Sequence, residues 1–232
     1  MSAQTMNCNA CQVSQQCVFN VLNENEKQKL NEGKTLKTCK KEHFIYHEGY
    51  GASDCFMIRD GIIRLTKQSG IENECIIDFK KNGDFIGIES LGSHSKYQTS
   101  AVALTETHIC ILHKSLLEYF FENNKKACDY LIRSFTVNTA SFLNRIVHIA
   151  KGTGQAKLAR ALCLVNQYLG EGKMKEIKVK REELAALSCL SRETVSRLLS
   201  SFKTRKIITV KDSAIRILDM QKMERLSEGE KK

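Results

Sequence analysis

The most regular feature of the chain is an apolar pattern of helical period between residues 127 and 150. Six positions recur at alternating spacings of three and four residues, and the residues between them are mostly polar, a pattern typical of a coiled-coil seam. The seam consists of Ile132, Phe135, Thr139, Phe142, Ile146 and Ile149. Such a helix spans roughly 36 Å, too long to bury against one small domain. We therefore expect a dimerisation helix that pairs with a second copy of the chain; the alternative is an amphipathic helix on the chain's own core.

Between about residue 36 and residue 112 the pattern changes to short alternating runs of apolar and polar residues. Turn signals such as Asp60-Gly61 and Asn82-Gly83 separate the runs, and the chain has no proline. Many short strands at close spacing predict an antiparallel sandwich or roll. The predicted strands cover residues 44–46, 55–58, 62–65, 75–79, 84–86, 99–103 and 108–112.

Residues 178–202 have the pattern of two helices joined by a turn. We predict a short helix over 181–187, a turn at 188–190, and a second helix with Ser191 as its N-cap. Apolar residues recur at i, i+3 and i+4 on the second helix, which leaves a polar outer face. The inward residues are Val195, Leu198 and Leu199, and the outer ones are Arg192, Glu193, Ser196 and Arg197. A helix-turn-helix presents such a face to the major groove, where Arg can donate to guanine and Glu can accept from cytosine; the alternative is a solvated charged face.

Two further segments surround this motif. Residues 151–154 predict a helix break, followed by a helix over 156–169. Residues 206–218 predict two short strands about a turn at Asp212-Ser213, which would form a wing.

Composition limits the kinds of function that the chain can have. Its 232 residues allow two domains, and its net charge of +10 favours a polyanionic partner such as nucleic acid. The sequence shows no signal peptide, no transmembrane stretch, no phosphate-binding glycine loop and no catalytic His/Asp/Ser arrangement. We therefore expect a cytoplasmic protein that does not associate with a membrane. We also expect that it is not an enzyme.

Three of the ten cysteines, Cys8, Cys11 and Cys17, form a C-x2-C-x5-C arrangement. In a reducing compartment cysteines bind metals, carry out redox chemistry or are buried, so this spacing in a segment without apolar period indicates a metal-binding loop. A zinc site commonly has its fourth ligand nearby, and neither Cys nor His follows within about twenty residues. An iron–sulfur cluster can take its last ligand from a remote position. Incidental thiols are the remaining alternative.

The order of the strand and turn signals resembles the β-roll sensor domain of the cyclic-AMP receptor/FNR regulator family. The resemblance rests on MIRDGIIR at residues 57–64 and GDFIG at residues 83–87. In members that bind a cyclic nucleotide, a Glu and an Arg-Ser pair hold the ribose and phosphate. The matching places here are Ile88 and Tyr97-Gln98, so the phosphate has no charged partner and a cyclic nucleotide is not expected.

The cysteines resemble those of the FNR branch, whose members sense oxygen. That branch has the same N-terminal spacing and one further cysteine in the last roll strand. The resemblance implies that Cys8, Cys11, Cys17 and Cys110 are ligands of a [4Fe–4S] cluster. The other six cysteines are expected to serve packing; they are Cys39, Cys55, Cys75, Cys128, Cys163 and Cys189. Two alternatives remain: a regulator of the same family that senses haem, nitric oxide or another small ligand without cysteine ligation, and a thiol-redox or zinc-binding protein with a basic surface.

The resemblance also implies roles in DNA binding and in pairing. Glu193, Ser196 and Arg197 match base-contacting positions of a homodimer that reads a palindromic site in double-stranded DNA, with RNA polymerase as a further partner if the protein is an activator. The residues placed for phosphate contacts are Lys180, Arg181 and Lys203.

Three positions depart from the FNR pattern. Arg192 stands where that branch is usually apolar and the cyclic-AMP branch has Arg, which leaves the outer half-site bases open. Cys189 replaces the usual turn glycine; if its backbone is left-handed, the strain costs about 1 kcal/mol of stability. Phe142 replaces an aspartate that weakens pairing, which would favour the dimer by roughly a few kcal/mol. We therefore expect the dimer to persist when the cluster is lost.

Together these predictions describe an α+β protein with an N-terminal β-roll (cyclic-nucleotide-binding-like) sensor domain, a long dimerisation helix and a C-terminal winged helix-turn-helix. The predicted divisions are a cysteine-rich cluster-binding segment 1–20, a β-roll 21–126, a dimerisation helix 127–150, a DNA-binding domain 151–226 and a tail 227–232.

Overall fold

The structure is a computed structural model that describes residues 7–69, 73–91, 96–170, 176–212 and 214–229. The chain divides into two compact units, one formed by residues 1–72 and 77–138 and the other by residues 73–76 and 139–232. Residues 1–6 of the predicted cysteine-rich segment lie outside the described residues.

The β-roll consists, in the described residues, of two four-stranded sheets. Its strands are β1 (Lys34–Cys39), β2 (Phe44–Tyr46), β3 (Asp54–Asp60), β4 (Ile63–Ser69), β5 (Asn73–Lys80), β6 (Phe85–Ile86), β7 (Ser100–Ala103) and β8 (Thr107–His113). The strand orders are β1-β8-β3-β6 and β2-β7-β4-β5. An apolar core between the sheets includes Ile58, Ile63 and Ile109, all fully buried. The predicted roll is confirmed.

Each predicted strand coincides with or overlaps one of β2 to β8. The predicted turn at Asp60-Gly61 is also present. Gly61 has φ of 109°, and a Cβ atom there would lie 2.8 Å from the Thr107 Cα atom, so only glycine fits without rearrangement. The sequence pattern missed β1, because that strand is mostly polar and lies at the edge of its sheet.

The N-terminal segment is folded against the roll. Short 3₁₀ helices cover Cys8–Ala10, Ser14–Gln16 and Val18–Val21, and α1 follows at Glu24–Gly33. A capping box begins α1: the Asn23 side chain accepts from the Glu26 N–H, and the Glu26 carboxylate accepts from the Asn23 N–H. The apolar residues of this segment join a core with the roll and with α2 (Lys114–Asn123); Phe19, for example, packs 6.0 Å from Phe120 between ring centroids.

The long helix α3 covers Lys125–Lys151 and is 27 residues long, or about 40 Å. It begins two residues before the predicted 127–150, where the Asn124 side chain accepts from the Ala127 N–H. The predicted break is confirmed: α4 (Gly154–Leu169) begins after Thr153, whose hydroxyl accepts from the Ala156 N–H at 3.2 Å.

The second unit contains the winged helix-turn-helix. Its elements after α4 are β9 (Glu176–Lys178), α5 (Arg181–Ser188), α6 (Arg192–Thr204), β10 (Ile208–Lys211), β11 (Ala214–Ile217) and α7 (Met220–Glu228). The strands form a sheet of order β10-β11-β9. The predicted wing strands are confirmed, and Ser213 of the predicted turn lies outside the described residues.

Two elements of this unit have no counterpart in the prediction. The strand β9 pairs with β11 and is only three residues long. The helix α7 continues to Glu228, so it occupies the first residues of the predicted tail 227–232, of which residues 230–232 lie outside the described residues.

Candidate functional site

Four thiols line one cavity of the first unit. Cys8, Cys11 and Cys17 come from the N-terminal 3₁₀ segment and Cys110 comes from β8, and the cavity has a volume of about 220 Å³. The structure thus brings together the four cysteines that the family resemblance grouped as one ligand set. All ten cysteines lie in the described residues, and none forms a disulfide.

Secondary structure fixes the cavity wall on the Cys110 side. This residue lies in β8, where it pairs with Leu36 of β1 and Met57 of β3, so sheet hydrogen bonds hold it on both sides. On the opposite side, the buried side chains of Val18 and Phe19 anchor the segment that carries Cys17. These anchors were missed because the apolar run VFNVL at residues 18–22 is too short to show a helical or strand period.

Cys8 is held by two polar residues at the junction of α1 and β1. The Lys34 ammonium donates to the Cys8 sulfur at 2.8 Å, and the Asn31 side-chain oxygen accepts from the Cys8 N–H at 3.0 Å. Neither residue was predicted, since no local motif links Cys8 to a lysine 26 positions along the chain.

Burial governs the proton affinity of two of the thiols. It raises the pKa of Cys17 to about 12 and the pKa of Cys110 to about 11, the latter against the opposing effect of the Lys34 and Arg59 charges. Metal ligation requires thiolates, so binding at these two residues must release protons.

The donor set fits an iron–sulfur cluster better than a single ion. Within the described ranges, no three His, Cys, Asp or Glu side chains are grouped closely enough to hold one metal ion. The four cysteines instead surround a common space. Four thiolates are the usual protein ligands of a [4Fe–4S] cluster, and each binds a different iron, so they need not meet at one point.

The other six cysteines differ in their surroundings. Cys39 and Cys55 are buried, as the packing role requires, and the Cys55 sulfur donates to the Gly87 carbonyl at 3.3 Å. Cys75, Cys128 and Cys163 are half-buried. The packing role predicted for Cys189 is wrong, because this residue is exposed at the end of α5.

The helix-turn-helix has the predicted local geometry. The Ser191 side chain caps α6 by accepting from the Thr194 N–H at 3.2 Å. Cys189 ends α5 with φ of 53° and ψ of 44°, which is the left-handed conformation expected at this position. The inward residues of α6 are buried; they are Val195, Leu198 and Leu199.

The predicted DNA-contacting residues of α6 lie on its opposite face. Arg192, Glu193 and Arg197 are exposed and Ser196 is half-buried. Two hydrogen bonds, one from the Glu193 N–H and one from the Ser191 side chain, lower the pKa of the Glu193 carboxyl. This carboxyl therefore stays an anion that can accept hydrogen bonds. The positions predicted for phosphate contacts are also exposed; they are Lys180, Arg181 and Lys203.

One neighbour of this face was not predicted. The Arg192 Nε atom lies 3.0 Å from the Glu182 carboxylate of α5, and both side chains are largely exposed. Exposed ion pairs contribute only about 0–1 kcal/mol, so this pair does not prevent Arg192 from contacting DNA.

The predicted dimer seam is open in the single chain. Phe135 is 44% exposed, Phe142 46% and Ile146 51%, whereas Ile149 is half-buried. Ile132 and Thr139 are exposed as well. A helix that exposes this much apolar surface is typical of one covered by a partner.

Two family models match the chain. A Crp-like helix-turn-helix domain matches residues 156–226, and a cyclic nucleotide-binding domain matches residues 36–124. The first match covers α4 to α7, and the second covers most of the β-roll with α2.

Similar proteins have regulatory names. Electron transport regulator A of Shewanella oneidensis is 26% identical over 97% of this chain and 92% of its own length. An anaerobic regulatory protein of Haemophilus influenzae is 24% identical over 93% of this chain and 85% of its own. Among solved structures, a regulator assigned to the crp/fnr family from Eubacterium rectale has a TM-score of 0.79 at 17% identity, covering 91% of this chain and 97% of its own.

The relatives named above are regulators rather than enzymes, in agreement with the expectation that this chain is not an enzyme. None of the helices in the described part of the chain is both long and apolar enough to cross a membrane.

Proposed function

The chain belongs to the Crp/FNR family of DNA-binding transcription regulators, and we propose that it senses oxygen or redox state through a [4Fe–4S] cluster bound by Cys8, Cys11, Cys17 and Cys110. Membership of this family excludes the alternative of a thiol-redox or zinc-binding protein that does not bind DNA. The name of the Haemophilus relative, an anaerobic regulatory protein, supports a response to oxygen.

The observation that carries this proposal is the shared cavity of the four cysteines. Cys110 is remote in sequence from the other three, and only folding brings its sulfur to the same space. When bound, the cluster supplies a redox-active iron–sulfur centre. The four thiolates hold that centre and connect the N-terminal segment to the central strand β8.

Two hydrogen-bonded connections lead to the start of α3, one from the cysteine segment and one from the helix α1 that follows it. The Tyr130 hydroxyl donates to the carbonyl of Gln16, the residue before Cys17, at 2.9 Å. The Glu26 carboxylate accepts from the Asn124 side chain at 2.9 Å, and Asn124 caps α3. A change in the cysteine segment therefore has physical routes to the helix that we propose as the dimer interface.

The output of the sensor is a paired DNA reader. Two chains joined along the seam of α3 would present two α6 helices to successive major grooves of a palindromic site, about one helical turn apart. Binding of the cluster shifts the equilibrium between the DNA-binding and non-binding states only if its free energy differs between these two states. If the protein is an activator, RNA polymerase is the further partner.

Anaerobic purification tests the proposal. We expect a brown protein with broad absorbance near ~400 nm and about four irons and four sulfides per chain. The variant Cys110→Ser should lose most of both, whereas Cys39→Ser, which replaces a buried cysteine away from the cavity, should retain them.

Two results would contradict this function. Wild-type protein without iron and sulfide after anaerobic isolation and reconstitution would remove the cluster from the account. Sharp Soret and Q bands would instead identify haem, which is the ligand of the alternative regulator.

A further inference from the structure

The cavity contains a cation that contacts a cysteine sulfur directly. The Lys34 Nζ atom donates to the Cys8 Sγ atom at 2.8 Å and to the Asn31 side-chain oxygen at 2.7 Å. Lys34 is half-buried, so this contact is partly shielded from solvent. Hydrogen bonds that involve a charged partner are shorter and stronger than neutral ones.

Backbone structure fixes the position of this lysine. The Lys34 N–H donates to the Leu30 carbonyl and so ends α1, and Lys34 is also the first residue of β1, where it pairs with Leu112 of β8. Two positions along the same ladder, Leu36 pairs with Cys110. The ammonium group therefore projects from the same rigid sheet that carries Cys110.

Asn31 connects the lysine to the backbone of the ligand segment. Its side-chain oxygen accepts from both the Lys34 ammonium and the Cys8 N–H, and its side-chain nitrogen donates to the Asn7 side chain at 3.2 Å. Cys8 is thus held at its backbone by Asn31 and at its sulfur by Lys34.

The charges around the cavity favour an anion. Lys27, Lys34 and Arg59 line it, and no Asp or Glu is among its described lining residues. Lys27 also pairs with Glu24, and Lys34 contacts the Cys8 sulfur. Four thiolates and a [4Fe–4S] core of charge 2+ carry a net charge of 2−, and a partly buried charge of this size is costly unless it is paired.

We propose that Lys34 is a positioning residue for the cluster: its ammonium donates to the Cys8 sulfur in the loaded protein, and its charge slows loss of iron and raises the reduction potential. This inference rests on the proposed function. Groups that hold or neutralise ligands from outside the ligand set commonly change metal affinity by about 10–100-fold, and hydrogen bonds to sulfur and nearby charge set cluster potentials.

The test compares four chains loaded anaerobically: wild type, Lys34→Met, Lys34→Arg and Lys37→Met. Lys37 lies on the same strand but is exposed and away from the cavity, so its variant removes the same charge as a control. A chelator added without oxygen gives the rate of iron release, and spectroelectrochemistry gives the potential. Thermal unfolding of the metal-free chains reports any general effect on folding.

We expect Lys34→Met to release iron on the order of tenfold faster than wild type and to have a lower reduction potential. Lys34→Arg should restore most of both properties, and Lys37→Met should match wild type. A further variant, Lys34→Gln, keeps a neutral donor and should lower the potential as Lys34→Met does.

The inference is overturned if the wild type loads and both neutral variants release iron at its rate with its potential. It is also overturned if Lys34→Met and Lys37→Met behave alike. A wild-type chain that takes up no iron and sulfide refutes the proposed function itself, which is a separate outcome.

Discussion

At the scale of single residues, Cys189 holds a backbone conformation that residues with a side chain rarely adopt. Its φ of 53° and ψ of 44° place it in the left-handed region, and it ends α5 at an exposed position. Glycine is the common residue there because it has no Cβ atom.

We therefore predict that Cys189→Gly raises the free energy of unfolding by up to about 1 kcal/mol. A higher midpoint of urea unfolding would show this gain. The control is Cys163→Gly, which places glycine inside α4 and removes a half-buried side chain, so it should lower stability by more than the ~0.5–1 kcal/mol backbone cost of a helical glycine. A lower midpoint for Cys189→Gly would show that the left-handed backbone is not strained.

Asp84 gives a prediction for pH. Burial raises the pKa of its carboxyl, although a hydrogen bond from the Lys81 N–H and the Lys80 charge oppose the shift. Because the folded-state pKa is higher than the unfolded one, the wild type loses stability as the pH rises through the folded-state pKa.

We expect Asp84→Asn, which keeps an acceptor for Lys81, to be more stable than wild type at pH 7. This gain should shrink as the pH falls and the wild-type carboxyl becomes protonated. Thermal unfolding from pH 4 to pH 8 measures the difference, with Asp129→Asn at an exposed position of α3 as the control. A pH-independent difference would contradict the assignment.

Residue chemistry predicted some of these sites and missed others. Ser191 as a cap follows from its neighbours in sequence, and the left-handed backbone of Cys189 was considered only because the resembling family has a glycine there. The partners of Cys8 could not be predicted, since Asn31 and Lys34 reach it only because α1 folds back beside the N-terminal segment. Contacts of this kind depend on tertiary structure, which local patterns do not encode.

At the scale of elements, periodicity predicted what is long or strongly patterned. The helices α3 and α6 and most of the strands β2 to β8 were found because each carries a pattern of apolar residues, and the two-residue β6 was found beside the Asn82-Gly83 turn signal. The strands β1 and β9 were missed because the first is mostly polar and the second has a single apolar residue, Ile177, between two exposed polar ones. The helix α1 was missed as well, since it has one buried residue, Leu30, and is held by its capping box.

The open seam of α3 predicts how the metal-free protein behaves. We expect metal-free wild type to elute from gel filtration as a dimer, because Phe142 adds apolar surface at the centre of the seam. Phe142→Asp should elute as a monomer at the same concentration, since pairing would bury two carboxylates.

The control for this experiment is Val137→Asp. Val137 is 70% exposed on the same helix but does not belong to the seam, so its variant should remain a dimer. Elution of metal-free wild type as a monomer would contradict the prediction, and so would equal behaviour of the two variants.

The helix α6 gives a prediction that distinguishes base recognition from phosphate contacts. Arg197→Ala should weaken binding to DNA selected from a random pool by about 1–3 kcal/mol and relax preference at one base pair. Lys203→Ala should weaken binding to all sequences alike and lower the salt dependence by about one phosphate contact.

Fluorescence anisotropy on matched and mismatched duplexes at several salt concentrations distinguishes these effects. Unchanged sequence preference for Arg197→Ala would remove that residue from base recognition. A sequence-dependent loss for Lys203→Ala would contradict its role as a phosphate contact.

At the scale of the whole molecule, we propose that α3 couples the cysteine cavity to the helix-turn-helix. The cysteine segment contacts the start of this helix through Tyr130, α1 contacts it through Asn124, and the exposed seam continues along the helix. The architecture could be predicted from sequence because its parts are regular. The hydrogen bonds of Tyr130 and Asn124 could not be predicted, since they join segments that are remote in sequence.

The decisive experiment measures the DNA affinity of one anaerobic sample before and after exposure to air. We predict that loss of the cluster changes the affinity of wild type for its selected site by about 5–150-fold, the range of typical coupling between sites. Cys110→Ser should have the affinity of air-exposed wild type under both conditions. Equal wild-type affinities with and without the cluster would contradict the claim that four converging cysteines control DNA binding.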